Sequence, residues 1–188
     1  SIVPVKPLLA AIPKIQNDVF EHSALPRSVV TARRGMYWLV ILRRRKAAAK
    51  CHVRLNLQTF LPRFALVDTA GEHDNLRAHE LCAGVQAGEI VIFDRAYVDF
   101  AHLADLSMRE VFWVTRAKEN LQYRVVRRFQ PGPDGNLLRD DLIQLTGPAG
   151  QAYPVELRRV VALVEVAGQL REMVFLTNNL TWSAQKIV

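Results

Sequence analysis

GEIVIFDRAYVDF, residues 88–100, decides how this chain is read. Ile90 to Phe93 is a short, strongly β-forming run, bounded by Gly88 before it and polar residues after it, as a strand in the middle of a sheet should be. Asp94 stands at its carboxyl end. Open α/β sheets place ligands there, because the strand fixes the side chain while the following loop is free to be shaped. A carboxylate in that position can hold Mg²⁺ or Mn²⁺, hard cations that prefer oxygen, and two such ions about 4 Å apart can activate an attacking oxygen and steady a leaving one. One carboxylate does not do this alone, and an Asp here can equally cap the loop that follows it.

Outward from this strand the pattern is regular. DFAHLADLSM reads as a helix with Asp99 as its N-cap and Phe100, Leu103, Ala104 and Leu106 as its apolar stripe, and EVFWVTR as the next strand. Upstream, GEHDNLRAHELCAGV is expected to be helical, with Leu76, His79, Glu80 and Ala83 on one face, His73 or Asp74 opening it and Gly84 ending it. Before it, CHVRLNL and RFALVDT alternate as two strands of a hairpin joined by QTFLP, with Pro62 marking the turn. The predicted order from Lys50 to Arg116 is β-β-α-β-α-β. Beyond it the chain reads as short strands between turn signals, LQYRVVRRF, LRDDLIQLTG, YPVELRRVVALVEV and LREMVFLTNN, separated by PGPDGN, PAGQ and AGQ. The closing LTWSAQKIV looks like the first turns of a helix capped by Thr181 or Ser183.

The basic excess is uneven. Residues 1–50 hold ten Lys/Arg against Asp18 and Glu21, a net +8, whereas residues 51–188 hold fifteen against sixteen acids, a net −1. Arg43, Arg44, Arg45 and Lys46, with Lys50, form the densest cluster, of the kind that neutralises phosphates; a solvated basic face is the plainer reading. Residues 1–42 read as an irregular basic segment, interrupted by Pro4, Pro7, Pro13 and Pro26. No apolar run approaches the ~18 residues of a membrane helix. There is no leader pattern, and the two cysteines, Cys51 and Cys82, make neither a disulfide framework nor a zinc site. A cytoplasmic protein without membrane contact is expected.

Taken together, AKCHVRLNL, FLPRFALVDTAGEHDN, GEIVIFDRAYVDF, EVFWVTRAKEN and FLTNNLTWSAQKI resemble the DDE transposases of the fourth bacterial insertion-sequence group, over roughly two thirds of the chain. FDRAYVDF is the most specific segment: it is similar to the family's FDRGY-type strand end, which carries the second catalytic Asp and so points to Asp94. Ala96 stands where that motif has glycine; if the turn needed a positive φ, Ala96 would cost about 1 kcal/mol. The resemblance implies an α/β fold, a ribonuclease-H-like mixed sheet with a β-rich insertion, here incomplete at both ends. On that reading residues 43–118 are the core, 119–176 the insertion and 177–188 the start of a C-terminal helix.

The resemblance also implies DNA cleavage and strand transfer by a metal-dependent Asp-Asp-Glu triad using Mg²⁺ or Mn²⁺. Its partners are transposon ends and target DNA, with a second copy or an intact transposase. Asp94 is the expected catalytic and metal-binding residue. The first Asp is expected on a strand before Lys50, yet residues 22–49 contain no Asp or Glu, and the Glu is expected on a helix after LTWSAQKI. An inactive fragment is therefore expected, with an out-of-frame origin for residues 1–42 as one account, and a non-catalytic DNA-binding remnant is the alternative. A free-standing ribonuclease-H-like nuclease would need a full carboxylate set of its own. Arg43, Arg44, Arg45, Lys46, Lys50, Arg95, Tyr97 and Lys118 are candidate DNA contacts, as is Arg116. His52 reads equally as a phosphate contact or a core residue, His73-Asp74 as a family motif or a helix cap, and Trp113 and Trp182 as core.

Overall fold

The computed structural model describes residues 36–43, 49–69, 74–130 and 135–188. Among these, nine strands form one sheet: β1 (Met36–Arg43), β2 (Ala49–Asn56), β3 (Pro62–Thr69), β4 (Ile90–Phe93), β5 (Phe112–Arg116), β6 (Tyr123–Phe129), β7 (Leu137–Leu145), β8 (Glu156–Val166) and β9 (Gln169–Thr177). Their order is β3-β2-β1-β4-β5-β9-β8-β7-β6. β1 pairs antiparallel with β2 and parallel with β4, and β4 runs parallel to β5. This is the mixed α/β sheet of the ribonuclease-H-like class expected from sequence.

Two expectations change. Met36–Leu42, expected in an irregular segment, are instead the strand between β2 and β4. MYWLVIL has no alternation, the continuous apolar pattern that a strand in the middle of a sheet can show. The β-rich insertion, in turn, continues the same sheet. Its last strand, β9, pairs antiparallel with β5 through three residue pairs, Val114 with Thr177, Thr115 with Leu176 and Arg116 with Phe175. By contrast β9 pairs with β8 along its whole length, from Arg158–Thr177 to Val166–Gln169.

The local details follow from residue chemistry. Pro62 opens β3 rather than marking the turn, a position open to it because β3 is an edge strand. The helix expected after Gly71 begins as a 3₁₀ turn (Asp74–Arg77) and continues as α1 (Ala78–Cys82). The tighter 3₁₀ period rotates the apolar face, so Ala78, Leu81 and Cys82 are buried while Leu76 and His79 are exposed. In α2 (Phe100–Met108), Asp99 caps as expected, accepting from the amides of Ala101 and His102. PAGQ is not a simple turn but lies in α3 (Gly147–Ala152), where Gly150 passes so close to Leu145 that a Cβ would lie 2.4 Å from its carbonyl oxygen. The β8–β9 hairpin closes on Ala167 and Gly168, both at positive φ (51° and 78°), as a two-residue turn matching the strand twist requires. The closing segment gives α4 (Ala184–Ile187) with Ser183 in the N-cap position but without a side-chain capping bond.

One face of the sheet carries the larger core: Val91, Phe93, Trp113, Ile143, Leu157 and Leu176 packed under α1, α2 and Tyr153. Ser107 ties that layer together, its hydroxyl meeting Tyr153 Oη (2.9 Å), Trp113 Nε1 (3.0 Å) and Asn178 Nδ2 (3.0 Å). The opposite face buries Val114, Val160, Ala162 and Phe175 against Ala184 and Ile187 of α4. Trp113 is core, as expected, and Trp182 packs at the edge of the second cluster. No helix of the described residues is long and apolar enough to cross a membrane.

His102 is the anomaly of the main core. It is buried between Phe93 and His79, its ring 3.9 Å from that of His79, and among the described residues neither ring nitrogen has a hydrogen-bond partner. Burial, then the neighbouring His79, hold its pKa down at about 4 from 6.5; Asp105 and Asp99 act the other way and Arg109 lowers it further. The neutral ring is therefore compatible with folding above pH 6.5. As pH falls from 6.5 toward 4 the unfolded chain takes up a proton that the folded chain does not, and stability is lost, by a total on the order of 2 kcal/mol. Urea melts at pH 7 and pH 4.5 should show this loss in the parent and a smaller one in His102→Leu. At the β8–β9 turn, Ala167→Gly should raise the urea midpoint, with a gain of ~0.5 kcal/mol from relieved left-handed strain.

Candidate functional site

Parallel pairing of β1, β4 and β5 brings their carboxyl ends to one edge of the sheet. Asp94 follows β4 there, and its backbone leaves the strand extended (φ −66°, ψ 146°) before a single 3₁₀ turn, Arg95–Tyr97. Its Oδ1 accepts from the Ala96 amide at 3.0 Å, so Asp94 caps that turn. Its Oδ2 faces the Arg116 guanidinium at 3.7 Å, across from the end of β5. Ala96 is not among the residues at positive φ, which apart from glycine are Phe60, Glu110 and Ala167. The strain expected of an alanine in this turn does not arise, because a 3₁₀ turn keeps φ negative for any residue.

Tyr97 corrects the sequence expectation of a DNA contact. It is fully buried, and its hydroxyl meets His52 Nδ1 of β2 at 2.8 Å. The 3₁₀ turn rolls the residue four places past the strand end back under the sheet, and Val98 beside it is buried too. That apolar Tyr97-Val98 pair was the signal available in the sequence. His52 is buried and so belongs to the core rather than to a phosphate. The Tyr97–His52 contact fixes the turn that Asp94 caps to the strand two places away.

Arg95 and Lys118 do reach the edge. Arg95 is half exposed and lies 3.8 Å from Glu119; Lys118 donates to the Val98 carbonyl at 3.2 Å, tying the segment after β5 to the segment after β4. A cleft of about 470 Å³ opens between that segment and β9, lined by Arg95, Arg116, Lys118, Arg159 and Arg171 with the carboxylates of Glu119 and Glu172. Arg159 and Arg171, from the expected insertion, have no sequence motif to announce them. Arg44, Arg45, Lys46 and His73 lie outside the described residues. Arg43 and Lys50 are opposite each other in the β1–β2 register, at the carboxyl end of β1 and hence on the Asp94 edge.

The donor set for a divalent metal is thin. Leu39 is level with Phe93, which places Val40 level with Asp94, and β1 carries no carboxylate. Among the described residues no three His, Cys, Asp or Glu side chains gather in a metal-binding group. One carboxylate with a guanidinium on its second oxygen does not fit a site for two ions.

The sequence as a whole matches the family model described as a transposase DDE domain over residues 34–188. The chain belongs to that family. The match starts nine residues before the expected boundary at 43 and so includes β1. DDE transposases generally use divalent metal ions. No curated protein matches the chain. Among solved structures it is similar to a piggyBac transposase synaptic complex with hairpin DNA (TM-score 0.46, 10% identity, 78% of this chain and 34% of that one). It is also similar to endonuclease V (SAV1684) from Streptomyces avermitilis (TM-score 0.40, 10% identity, 82% and 71%). This DDE transposase chain thus spans about a third of the piggyBac chain.

Tyr97→Phe should cost about 1–2 kcal/mol in urea melts, since it leaves the buried His52 nitrogen without this partner. The same variant should bind DNA as the parent does. A weakened DNA complex at unchanged stability would restore Tyr97 as a contact.

Proposed function

We propose that the chain is the catalytic-domain portion of an insertion-sequence transposase of the fourth group, and that this copy holds DNA without cutting it. The observation that carries the reading is the Asp94 edge: one family acid at the end of β4, Arg116 against it, and β1 without a carboxylate beside it. In a competent site the acid on β1 would share the metal ions with Asp94. Here the neighbouring strand offers Val40 at that level, and the charge nearest Asp94 is a guanidinium.

The same edge is suited to a polyanion. Arg95, Arg116, Lys118 and Arg171 line the cleft, and β1 ends at Arg43, opposite Lys50 of β2, on the same side. Such clusters attract the phosphate backbone without regard to sequence and lose affinity steeply with salt. A non-catalytic DNA-binding remnant is therefore the form of the protein this geometry favours, and Asp94 retains its family position as a metal ligand without the partners that make the ligand productive.

Incubation with supercoiled plasmid and Mg²⁺ or Mn²⁺ should give a salt-sensitive mobility shift and no nicking above background. Robust nicking that Asp94→Ala abolishes would overturn the inactive assignment. Absence of any shift at low salt would overturn the DNA-binding assignment.

A further inference from the structure

The far side of the sheet carries a second, separate charge pattern. β6 is the outermost strand, and Arg124 to Arg128 are exposed without interruption. With Arg139 of β7, which is also exposed, this edge presents four arginines. Two acids lie close in sequence and register: Arg128 is opposite Asp141 and Phe129 opposite Asp140. Both carboxylates turn inward instead. Arg158 of β8 donates to Asp140 from Nε (2.8 Å) and Nη2 (2.6 Å), and Arg159 reaches Asp141 at 3.3 Å. Both Asp side chains are 5% exposed. Their charge is thus spent on β8.

Among the described residues, Arg127, Arg128 and Arg139 have no carboxylate partner, and Arg124 donates only to the side-chain oxygen of Gln144. Arg127 lies over the Phe129 ring, 5.1 Å from its centroid, which holds the guanidinium at the rim without neutralising it. An ordinary solvated face mixes signs, whereas the exposed charged side chains of β6 and β7 among the described residues are all arginines. Edge pairing with a second copy would set arginines against arginines, and the register shift between Val125 and Arg127 interrupts the pairing surface. The occupant that fits is a phosphate backbone.

We infer that the β6 edge is a second nucleic-acid contact surface, distinct from the Asp94 cleft and engaging backbone phosphates through Arg124, Arg127, Arg128 and Arg139. The inference rests on the reading of the chain as a DNA-binding transposase. Five strand spacings separate β4 from β6. At ~4.8 Å each this is roughly 24 Å along the sheet, the rise of about seven base pairs at ~3.4 Å per step. One duplex can therefore touch both surfaces.

The test is fluorescence anisotropy of a random-sequence duplex long enough to span both surfaces, titrated with the full chain over a range of salt. Arg127→Gln/Arg128→Gln should bind roughly ten-fold more weakly at low salt and reduce the slope of log affinity against log salt by about 2, close to 0.9 per lost phosphate contact. Its melting temperature should match the parent's, and Arg127→Lys/Arg128→Lys should keep the parental slope. Parental slope and affinity in the Gln pair would overturn the inference, as would a Lys pair that loses as much slope as the Gln pair. If Lys118→Gln weakens the complex while the Gln pair does not, the edge surface falls and the cleft reading stands. If the parent binds no duplex at any salt, both fall. Polyglutamate that binds the edge and is not displaced by duplex would assign it to acidic proteins and overturn the inference.

Discussion

The parallel pairing of β1 with β4 is the constraint on which the rest of this molecule depends. A parallel neighbour cannot be reached by a tight turn, so the chain between the two strands must pay for a crossover; here it builds β2, β3 and α1 on the way. The pairing sets the carboxyl ends of both strands, and with them Asp94, on one edge. It also sets Val40 of β1 level with Asp94.

The electrostatics of the sheet then follow a single rule, that buried charge must be matched and edge charge need not be. In the interior Asp140 and Asp141 are closed against Arg158 and Arg159. At the β6 edge, Arg124, Arg127 and Arg128 are left exposed to solvent. Arg116 stands between these regimes, at the boundary of the cleft with Asp94 beside it.

Most of the strands were legible from local pattern, because β-branched runs such as EIVIF and VVALVEV and their glycine or proline boundaries are local facts. Asp94 at its strand end and the Asp99 cap were equally visible. Three things were not. β1 was hidden because its continuous apolar run, MYWLVIL, lacks the alternation that marks a half-buried strand. Tyr97 and His102 were misjudged or overlooked because a 3₁₀ turn and the sheet-facing side of α2 bury polar-tipped rings that spacing alone leaves ambiguous. The roles of Arg158 and Arg159, against those of Arg127 and Arg128, are decided by strand order, and no pairwise reading of RR and DD dipeptides separates them.

The join between β5 and β9 is only three residue pairs long, whereas β8 and β9 share nine. The ladder alone is thus a narrow seam between the two halves of the sheet. What rivets them is the layer above it, where Ile143, Leu157 and Tyr153 share one core with Phe93 and Trp113, and where Ser107 of α2 meets both Tyr153 and Asn178.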